Sequence, residues 1–273
     1  MAYIKNNYHT HTSLCKHAAK MPKDYIEKAI SLGMKSIGIS DHNHVPKYFY
    51  PKECQIYVPN YMTMDEFYNV YLKSINEAID KYGDKIKIYK GLECEYVKEY
   101  EDFYKELRNN LDYLGLGLHT VIKDNLYLNT YFDFNYTNLH YYVDTAIEAI
   151  DSGLYKIFFH PDVFMVSYKN EYGEKKLTEA DKLLCKKLIK HAVDKGIYLE
   201  VNANGIGNSK RDGYVEYTYP NKEFWKLVKE FPNAKIILGA DAHSPDALYC
   251  DNITKAYEFV EELNLNIIEE VVF

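Results

Sequence analysis

Short apolar runs alternate along this chain with longer stretches in which apolar residues recur at helical spacing. The alternation repeats seven times, and strand followed by helix in repetition predicts parallel strands joined by crossover helices. The predicted strands are Tyr3–His11, Ser36–His42, Lys85–Tyr96, Leu111–Val121, Tyr155–Val163, Ile197–Asn204 and Lys235–His243.

Start and stop signals support the helices between these strands. Pro22 lies in the first turn of one stretch, Gly33 and Gly83 follow the ends of two stretches, and Ser244-Pro245 precedes the last. The predicted helices are Pro22–Leu32, Met64–Tyr82, Tyr100–Asn110, Leu139–Ser152, Leu177–Lys195, Lys222–Phe231 and Asp246–Leu263.

Periodicity leaves two α/β architectures open, an open doubly wound sheet and a closed barrel. The longest irregular stretches, 43–62, 122–138, 164–176 and 205–221, all follow strands, whereas the helix-to-strand connections are short. Long loops on one face and short loops on the other are typical of a barrel with its site at the carboxyl ends of the strands. Because single α/β barrels commonly reach about 250 residues, we expect residues 1–273 to form one domain.

Composition narrows the classes of function and the compartment. Lys and Arg number 33 against 40 Asp and Glu, a net charge of −7, which argues against non-specific nucleic-acid binding. No apolar run approaches the length of a membrane span, and the first residues lack the pattern of a signal peptide. The five cysteines are scattered and form no CxxC pair, so we expect a cytoplasmic protein with free thiols.

Polar residues end nearly every predicted strand, and this joint pattern carries more information than any one residue. Seven of the ten histidines lie in a strand end or within two residues of one: His9, His11, His42, His44, His119, His160 and His243. Burying such groups without partners costs on the order of a few kcal/mol each. We therefore expect them to converge around cations, and imidazoles with a few carboxylates suit Zn²⁺, Fe²⁺ or Mn²⁺.

An ordered set of motifs supports this interpretation across nearly the whole chain, from His9 to Ser244. The motifs are HTHTS…CKH, SDH, GLECEY, LGLHTV, HPD, EVNANG and GADAHSP. Together they resemble the PHP (polymerase and histidinol phosphatase) family, most closely its stand-alone histidinol-phosphate phosphatases. The resemblance implies a distorted seven-stranded TIM-like barrel that holds three divalent metal ions at the carboxyl ends of its strands.

By the family pattern, nine residues are metal ligands, and all nine positions match. His9, His11 and Asp241 would bind the first metal, and Glu93 would bridge it to a second. His119 and His160 would complete the second metal site. His17, His42 and His243 would hold the third metal.

The chemistry that the resemblance implies is hydrolysis of a phosphate monoester. Two cations that share a carboxylate give hydroxide near neutral pH, and this bridging hydroxide would attack phosphorus. Glu93, Asp241 and His243 are the catalytic candidates among the ligands. Asp41, Asp162 and His44 are candidates to orient ligand imidazoles or to donate the leaving-group proton.

Phosphate also needs positive charge beyond the metals. Arg211 and Lys210 follow the sixth strand in a stretch that Tyr219-Pro220 closes, so we expect them to contact the substrate, with Asn202 and His44 as further contacts. Some relatives carry Arg shortly after the fifth-strand His-x-Asp, whereas this chain has only apolar residues at 163–166.

Aromatic residues occupy the loops after the strands, where rings would suit a small, flat, cationic group such as that of histidinol. These residues are Tyr48, Phe49, Tyr50, Tyr127, Tyr131, Phe132, Phe134 and Tyr136. Cys15, in the first loop, is a possible neighbour of the site.

The first hypothesis is a phosphoric monoester hydrolase that converts L-histidinol phosphate to L-histidinol and phosphate in histidine biosynthesis. The alternative is a phosphoesterase of the same family for a nucleotide, a sugar phosphate or phosphotyrosine. A nuclease is disfavoured by the acidic composition, and a non-catalytic metal protein by the complete ligand set. We expect a small phosphate ester as the partner, with no membrane and no nucleic acid, and the sequence gives no oligomeric state.

Overall fold

Among the described residues, seven parallel strands form one sheet, in which the strands lie side by side in chain order. The computed structural model describes residues 2–43, 45, 47–49, 52, 61–123 and 126–273. The strands of this sheet are β1 (Asn6–Asn7), β2 (Ser36–Ile39), β3 (Lys87–Cys94), β4 (Tyr113–Leu116), β7 (Ile157–Phe158), β8 (Tyr198–Asn202) and β9 (Lys235–Gly239). Two further strands, β5 (Thr120–Lys123) and β6 (Leu126–Asn129), pair with each other in a separate antiparallel hairpin.

Helices cover the outside of this sheet and alternate with its strands along the chain. Their bounds are α1 (Pro22–Leu32), α2 (Met64–Glu66), α3 (Leu72–Tyr82), α4 (Glu101–Arg108), α5 (Leu139–Asp151), α6 (Glu179–Asp194), α7 (Ala203–Arg211), α8 (Lys222–Lys229) and α9 (Asp251–Leu263). A π-helical segment, Phe67–Tyr71, joins α2 to α3, so the predicted helix Met64–Tyr82 is interrupted. Short 3₁₀ turns lie at Ser13–Cys15, Lys47–Phe49, Lys98–Tyr100, Val163–Val166 and Pro245–Leu248.

The first and last strands meet beyond their carboxyl ends and close the sheet into a barrel. The His11 amide donates to the Ala242 carbonyl at 2.9 Å, and the Ala242 amide donates to the His9 carbonyl at 3.2 Å. The Asn7 side chain accepts from the Ala240 amide at 2.8 Å. This closure confirms the barrel and excludes the open doubly wound sheet.

Tertiary contacts explain two of the places where the predicted local structure is wrong. The predicted strand Leu111–Val121 is broken because the Glu95 carboxylate accepts the amides of His119 and Thr120, which takes these donors out of the ladder. The stretch 205–221, predicted as irregular, begins inside α7. Its glycines disfavour a helix, but the Asn202 side chain caps the helix by accepting from the Gly205 amide at 2.9 Å.

Tyrosine rings fill the barrel at the end opposite the carboxyl ends of the strands. Tyr8, Tyr89 and Tyr113 are buried and pack around Phe273, whose ring stacks on that of Tyr113 with centroids 4.7 Å apart. Gly91 leaves room for Tyr113, because a Cβ at this position would lie 2.2 Å from the Tyr113 ring. Among the described residues, the barrel interior at this end is therefore a packed core.

Within the part of the chain that the structure describes, no helix is both long enough and apolar enough to cross a bilayer.

Candidate metal centre

Glu93 lies at the centre of the barrel mouth, near the end of β3, and its side chain is buried. Gly117, opposite it, leaves the room that this carboxylate occupies, because a Cβ there would lie 2.1 Å from Glu93 Oε1. Imidazole nitrogens surround the carboxylate. They are His160 Nε2 at 2.8 Å, His42 Nδ1 at 3.0 Å, His11 Nε2 at 3.3 Å, His9 Nε2 at 3.4 Å and His119 Nε2 at 3.6 Å.

Asp241 forms the second acidic group of the centre, two residues after β9. Its Oδ1 lies 3.1 Å from His11 Nε2 and 3.5 Å from His9 Nε2. Its Oδ2 accepts from the side-chain amides of Asn202 at 3.3 Å and Asn204 at 3.2 Å. Asp241 adopts a φ of +47°, a strained backbone conformation that clusters at functional sites.

Several buried polar atoms of this cluster have no hydrogen-bond partner among the described residues. They include His9 Nε2, His11 Nε2 and Glu93 Oε2. Several groups of three residues have ligand atoms within 4.8 Å of one another, as expected around a cation, and three of these groups consist of predicted ligands. These three groups are His9, His11 and Asp241; His9, Glu93 and His160; and His11, His42 and His243. The donor atoms therefore fit bound metal ions, which would supply the missing partners.

A third group of imidazoles lies at the edge of the cluster. The His17 ring centroid is 5.2 Å from that of His42 and 4.9 Å from that of His243. His17 Nδ1 lies 2.8 Å from the Cys15 carbonyl, and its Nε2 lies 3.9 Å from the Cys15 sulfur, so Cys15 is a neighbour of this group. All nine ligands predicted from the sequence are therefore gathered at the carboxyl ends of the strands.

Two further carboxylates fix the orientation of the histidines. Glu200, on β8 and fully buried, holds His9 Nδ1 at 3.0 Å from both of its oxygens and accepts the His160 amide at 3.2 Å. Glu95 lies 3.1 Å from His119 Nδ1. Neither residue was among the predicted site residues. Glu95 lies two residues after Glu93, and Glu200 lies two residues before Asn202, so the members of each pair share one face of their strand. This spacing is the sequence signal that could have identified Glu95 and Glu200.

The electrostatics of the centre follow from this crowding of opposite charges. Burial alone raises the pKa of a carboxyl group, but the surrounding imidazoles hold the pKa of Glu93 and that of Asp241 well below their usual values. Burial opposes the charge of His119 as well, yet Glu93 and Glu95 raise its pKa to about 9. Burial dominates at His11 and lowers its pKa to about 3. Both carboxylates are therefore ionised at neutral pH and available to cations.

Asp41 and Asp162, predicted to orient ligand imidazoles or to donate the leaving-group proton, lie beside the centre and do not line its cavity. Asp41 Oδ1 lies 3.9 Å from His11 Nδ1. Asp41 accepts the Thr12 amide at 2.6 Å and the Thr12 hydroxyl. Asp162 accepts the Asn221 amide at 2.5 Å and Trp225 Nε1 at 3.0 Å. Burial raises the pKa of each carboxyl to about 7. Their contacts hold backbone segments next to the site.

A cavity of about 530 Å³ opens over the metal centre, within the usual size range of small-molecule sites. The described residues that line it are His17, His42, Tyr61, Glu93, Glu95, His119, Thr120, Tyr127, Asn129, Tyr131, Asn204, Asn208, Arg211, Tyr219, Asp241 and His243. Of these, Tyr61, Asn204, Asn208, Thr120 and Asn129 had not been singled out from the sequence.

The predicted substrate contacts divide between the cavity and its surroundings. Arg211, at the end of α7, lines the cavity, whereas Lys210 extends towards Asp251 on α9, with Nζ 3.6 Å from the carboxylate. Asn202 is fully buried and contacts Glu200 and Asp241. His44 lies outside the described residues.

The predicted aromatic loop residues are similarly divided. Tyr127 and Tyr131 line the cavity, Phe134 is buried in the core, and Phe49 packs against Tyr100. Tyr48, Phe132 and Tyr136 are exposed. Tyr50 lies outside the described residues.

Comparison with known proteins agrees with this arrangement. The chain is 26% identical over 268 residues to the "Probable histidinol-phosphatase" of Schizosaccharomyces pombe, covering 87% of this chain and 80% of that protein. It is 22% identical over 262 residues to the "Histidinol-phosphatase" of Bacillus subtilis, covering 88% and 93%.

A solved structure shares the fold. The histidinol phosphate phosphatase of Lactococcus lactis, complexed with zinc, L-histidinol and phosphate, superposes with a TM-score of 0.68 at 17% identity and covers all of both chains. This likeness supports the seven-stranded TIM-like barrel. Residues 7–204 match the PHP domain, which is most of the chain. The chain with this histidine-rich barrel mouth therefore belongs to the PHP domain family.

Proposed function

We propose that this protein is a metal-dependent phosphatase that hydrolyses L-histidinol phosphate to L-histidinol and phosphate. The observation that carries the proposal is the cluster of buried, unpartnered imidazole and carboxylate atoms at the floor of the cavity. The names of the related proteins and the zinc, histidinol and phosphate in the Lactococcus lactis structure support the same activity.

Three divalent ions, of zinc, iron or manganese, would be held by the nine predicted ligands. We assign His9, His11 and Asp241 to one ion, and His119 and His160 to a second. Glu93 lies between these two groups and would contact both ions. His17, His42 and His243 would hold the third. When bound, such ions lower the pKa of water and neutralise charge on phosphate oxygens.

The protein's own groups would bind and orient the ester. Arg211 reaches the cavity from α7 and offers a guanidinium, which suits a phosphate group because its donors form a planar fork. The rings of Tyr127 and Tyr131 offer flat faces for an imidazole. Asp41 and Asp162 would act through the backbone segments that they hold, since neither lines the cavity.

The cytoplasm is the proposed location of this reaction. Cys15, Cys94, Cys185 and Cys250, the described cysteines, are all free thiols, which suits a reducing compartment.

The deciding experiment measures phosphate release from L-histidinol phosphate and from a nucleoside 5′-monophosphate, with metal content determined on the same sample. We expect strong preference for histidinol phosphate, and Glu93→Gln and Asp241→Asn, which leave side-chain shape unchanged, should lose both metal and activity. A fully metal-loaded protein that ignores this ester would overturn the proposal.

One observation keeps a second phosphate ester in consideration. Val163, Phe164 and Met165 are buried in the core, so the described segment after β7 contributes no basic group to the cavity. A phosphatase for a nucleotide, a sugar phosphate or phosphotyrosine would then use the same metal centre. Of the two predicted basic residues, Lys210 and Arg211, only Arg211 would contact its substrate. A panel of these esters on the same sample separates the two candidates.

A further inference from the structure

Cys15 lies next to the third group of imidazoles but is not among the nine predicted ligands. The residue is buried, with 1% of its surface exposed, at the end of the 3₁₀ turn Ser13–Cys15. Its Sγ lies 3.9 Å from His17 Nε2. Ligand atoms of Cys15, His17 and His243 all lie within 4.8 Å of one another. The sulfur and two of the imidazoles assigned to the third ion therefore surround one small region.

The distance between the sulfur and His17 suits two ligands of one zinc ion. Zinc binds thiolate sulfur at about 2.3 Å and imidazole nitrogen at about 2.0–2.1 Å, usually in tetrahedral geometry. A sulfur and a nitrogen bound to one ion in this way lie about 3.6 Å apart. The observed 3.9 Å between Cys15 Sγ and His17 Nε2 is close to this value, so little movement would bring both atoms onto one ion.

A buried imidazole without a hydrogen-bond partner lies beside the same sulfur. Both ring nitrogens of His11 are buried and lack partners among the described residues. His11, Cys15 and Asp41 also have ligand atoms within 4.8 Å of one another. Cys94 and Cys185, by contrast, pack in the hydrophobic core. Cys15 thus lies among unsatisfied polar groups, which are costly to bury unless a partner such as a cation is present.

Backbone hydrogen bonds hold the loop of Cys15 against the strand end that carries His243. The Cys15 amide donates to the Thr12 carbonyl at 3.1 Å, and the Ala19 amide donates to the His243 carbonyl at 2.9 Å. Lys16, the residue after Cys15, has a φ of +67°, which is uncommon outside glycine. The loop is therefore ordered in the conformation that brings the sulfur to the imidazoles, which limits the entropy lost when a cation binds.

We propose that the Cys15 sulfur is a further ligand of the third metal ion, beside His17 and His243. The inference rests on the metal centre of the proposed function and adds a thiolate to a set of ligands that otherwise contains only imidazoles. The thiol would release its proton to solvent when it binds the ion. Thiolate is a soft ligand that favours zinc over manganese, so this residue would favour zinc at the third site.

The test loads the protein with cobalt(II) in place of zinc, because a thiolate bound to cobalt gives a charge-transfer absorption band in the near ultraviolet. We expect this band in the wild-type protein and its loss in Cys15→Ser. Removing a group that only supports a ligand typically lowers metal affinity about 10- to 100-fold. Cys15→Ser should therefore weaken the binding of one zinc ion by at least this factor, as measured by competition with a chromophoric chelator.

The matched control is Cys250→Ser, which makes the same change at a thiol that packs against the hydrophobic core and donates to the Ala247 carbonyl at 3.5 Å. It should keep both the cobalt band and the zinc affinity.

Two results would overturn the proposal. One is a cobalt-loaded wild-type protein without the thiolate band, a result that needs no variant to fold. The other is a band that survives in Cys15→Ser. The spectrum requires no substrate, so a protein that shows the band but does not hydrolyse L-histidinol phosphate would refute only the proposed function. A protein that takes up neither zinc nor cobalt would refute both proposals.

Discussion

Glu200→Gln is the most informative single change, because it alters the support of the metal centre without altering a predicted ligand. Both Glu200 oxygens lie 3.0 Å from His9 Nδ1, and Oε2 also accepts the His160 amide at 3.2 Å and Asn202 Nδ2 at 3.0 Å. A glutamine would therefore keep its carbonyl at the Oε2 position, where three donors meet. Its NH₂ group would replace Oε1 and face His9.

The structure gives the size of the expected effect. The variant retains one acceptor for His9 Nδ1 and loses the second contact together with the negative charge. Weakening such a carboxylate–histidine contact typically lowers metal affinity about 10- to 100-fold. That range corresponds to about 1.4–2.7 kcal/mol of binding free energy. The fold should survive, since the side chain keeps its shape and its contacts at Oε2.

The assay is competition for zinc against a chromophoric chelator, followed by kcat at saturating zinc. The control is Glu223→Gln, which makes the same chemical change at a carboxylate that accepts the Leu177 amide at 2.9 Å, away from the centre. A wild-type zinc dissociation constant in Glu200→Gln would refute the idea that Glu200 supports the metal site. So would an equal loss of affinity in Glu223→Gln.

Three further predictions follow from the same geometry. Gly117→Ala should abolish zinc binding, because the Cβ of the new alanine would lie 2.1 Å from Glu93 Oε1 and displace the Glu93 carboxylate. Full zinc content of this variant, measured by mass spectrometry, would contradict the prediction. Arg211→Ala should raise KM for the ester about 10-fold or more. Lys210→Ala should leave KM unchanged, because Arg211 lines the cavity and Lys210 does not. Equal effects of the two variants in steady-state kinetics would refute the assignment of Arg211 to the substrate. The raised pKa of His119, about 9, means that the metal-free protein holds a proton there at pH 7. Zinc must displace this proton, so zinc affinity should rise as the pH approaches 9. Calorimetry in two buffers of different ionisation enthalpy should detect the release, and affinity independent of pH would contradict the expectation.

The barrel and the gathering of ligands were accessible from the sequence because both depend on strand periodicity. Alternation along a strand places His9 and His11 on one side, and parallel strands bring their carboxyl ends to one mouth. The helix Pro22–Leu32 was also predicted at its observed bounds, since Pro22 begins it and Gly33 ends it. Local sequence rules therefore predicted the structure correctly where a single residue type, such as the proline or glycine at a helix end, determines the local conformation.

The predictions failed where tertiary contacts overrule local propensity. The segment that forms α7 contains two glycines and looked irregular, but the Asn202 cap and the tight packing of Tyr219 on Gly205 stabilise it as a helix. That helix also separates the predicted basic pair. Successive residues on a helix point about 100° apart, so only Arg211 of the two reaches the cavity. A loop prediction could not make this distinction.

The roles of the carboxylates could not be told apart from the sequence, because burial and partners decide them. From the sequence, Asp162 was a candidate either to orient a ligand imidazole or to donate the leaving-group proton. In the structure its carboxylate accepts from a backbone amide and an indole, and so it holds the segment that carries Tyr219. Glu200, which drew no prediction, contacts His9 and His160 directly.

Glycines explain how so many charged groups fit inside one barrel. A Cβ at Gly239 would lie 1.6 Å from Glu200 Oε1, and one at Gly117 would lie 2.1 Å from Glu93 Oε1. Each buried carboxylate therefore occupies the space that a neighbouring strand leaves by lacking a side chain. The same two strands supply His119 and Asp241 a few residues later. The same strand ends thus provide both the space that the buried carboxylates occupy and the side chains that would bind cations. The metal centre is therefore part of the packing of the barrel.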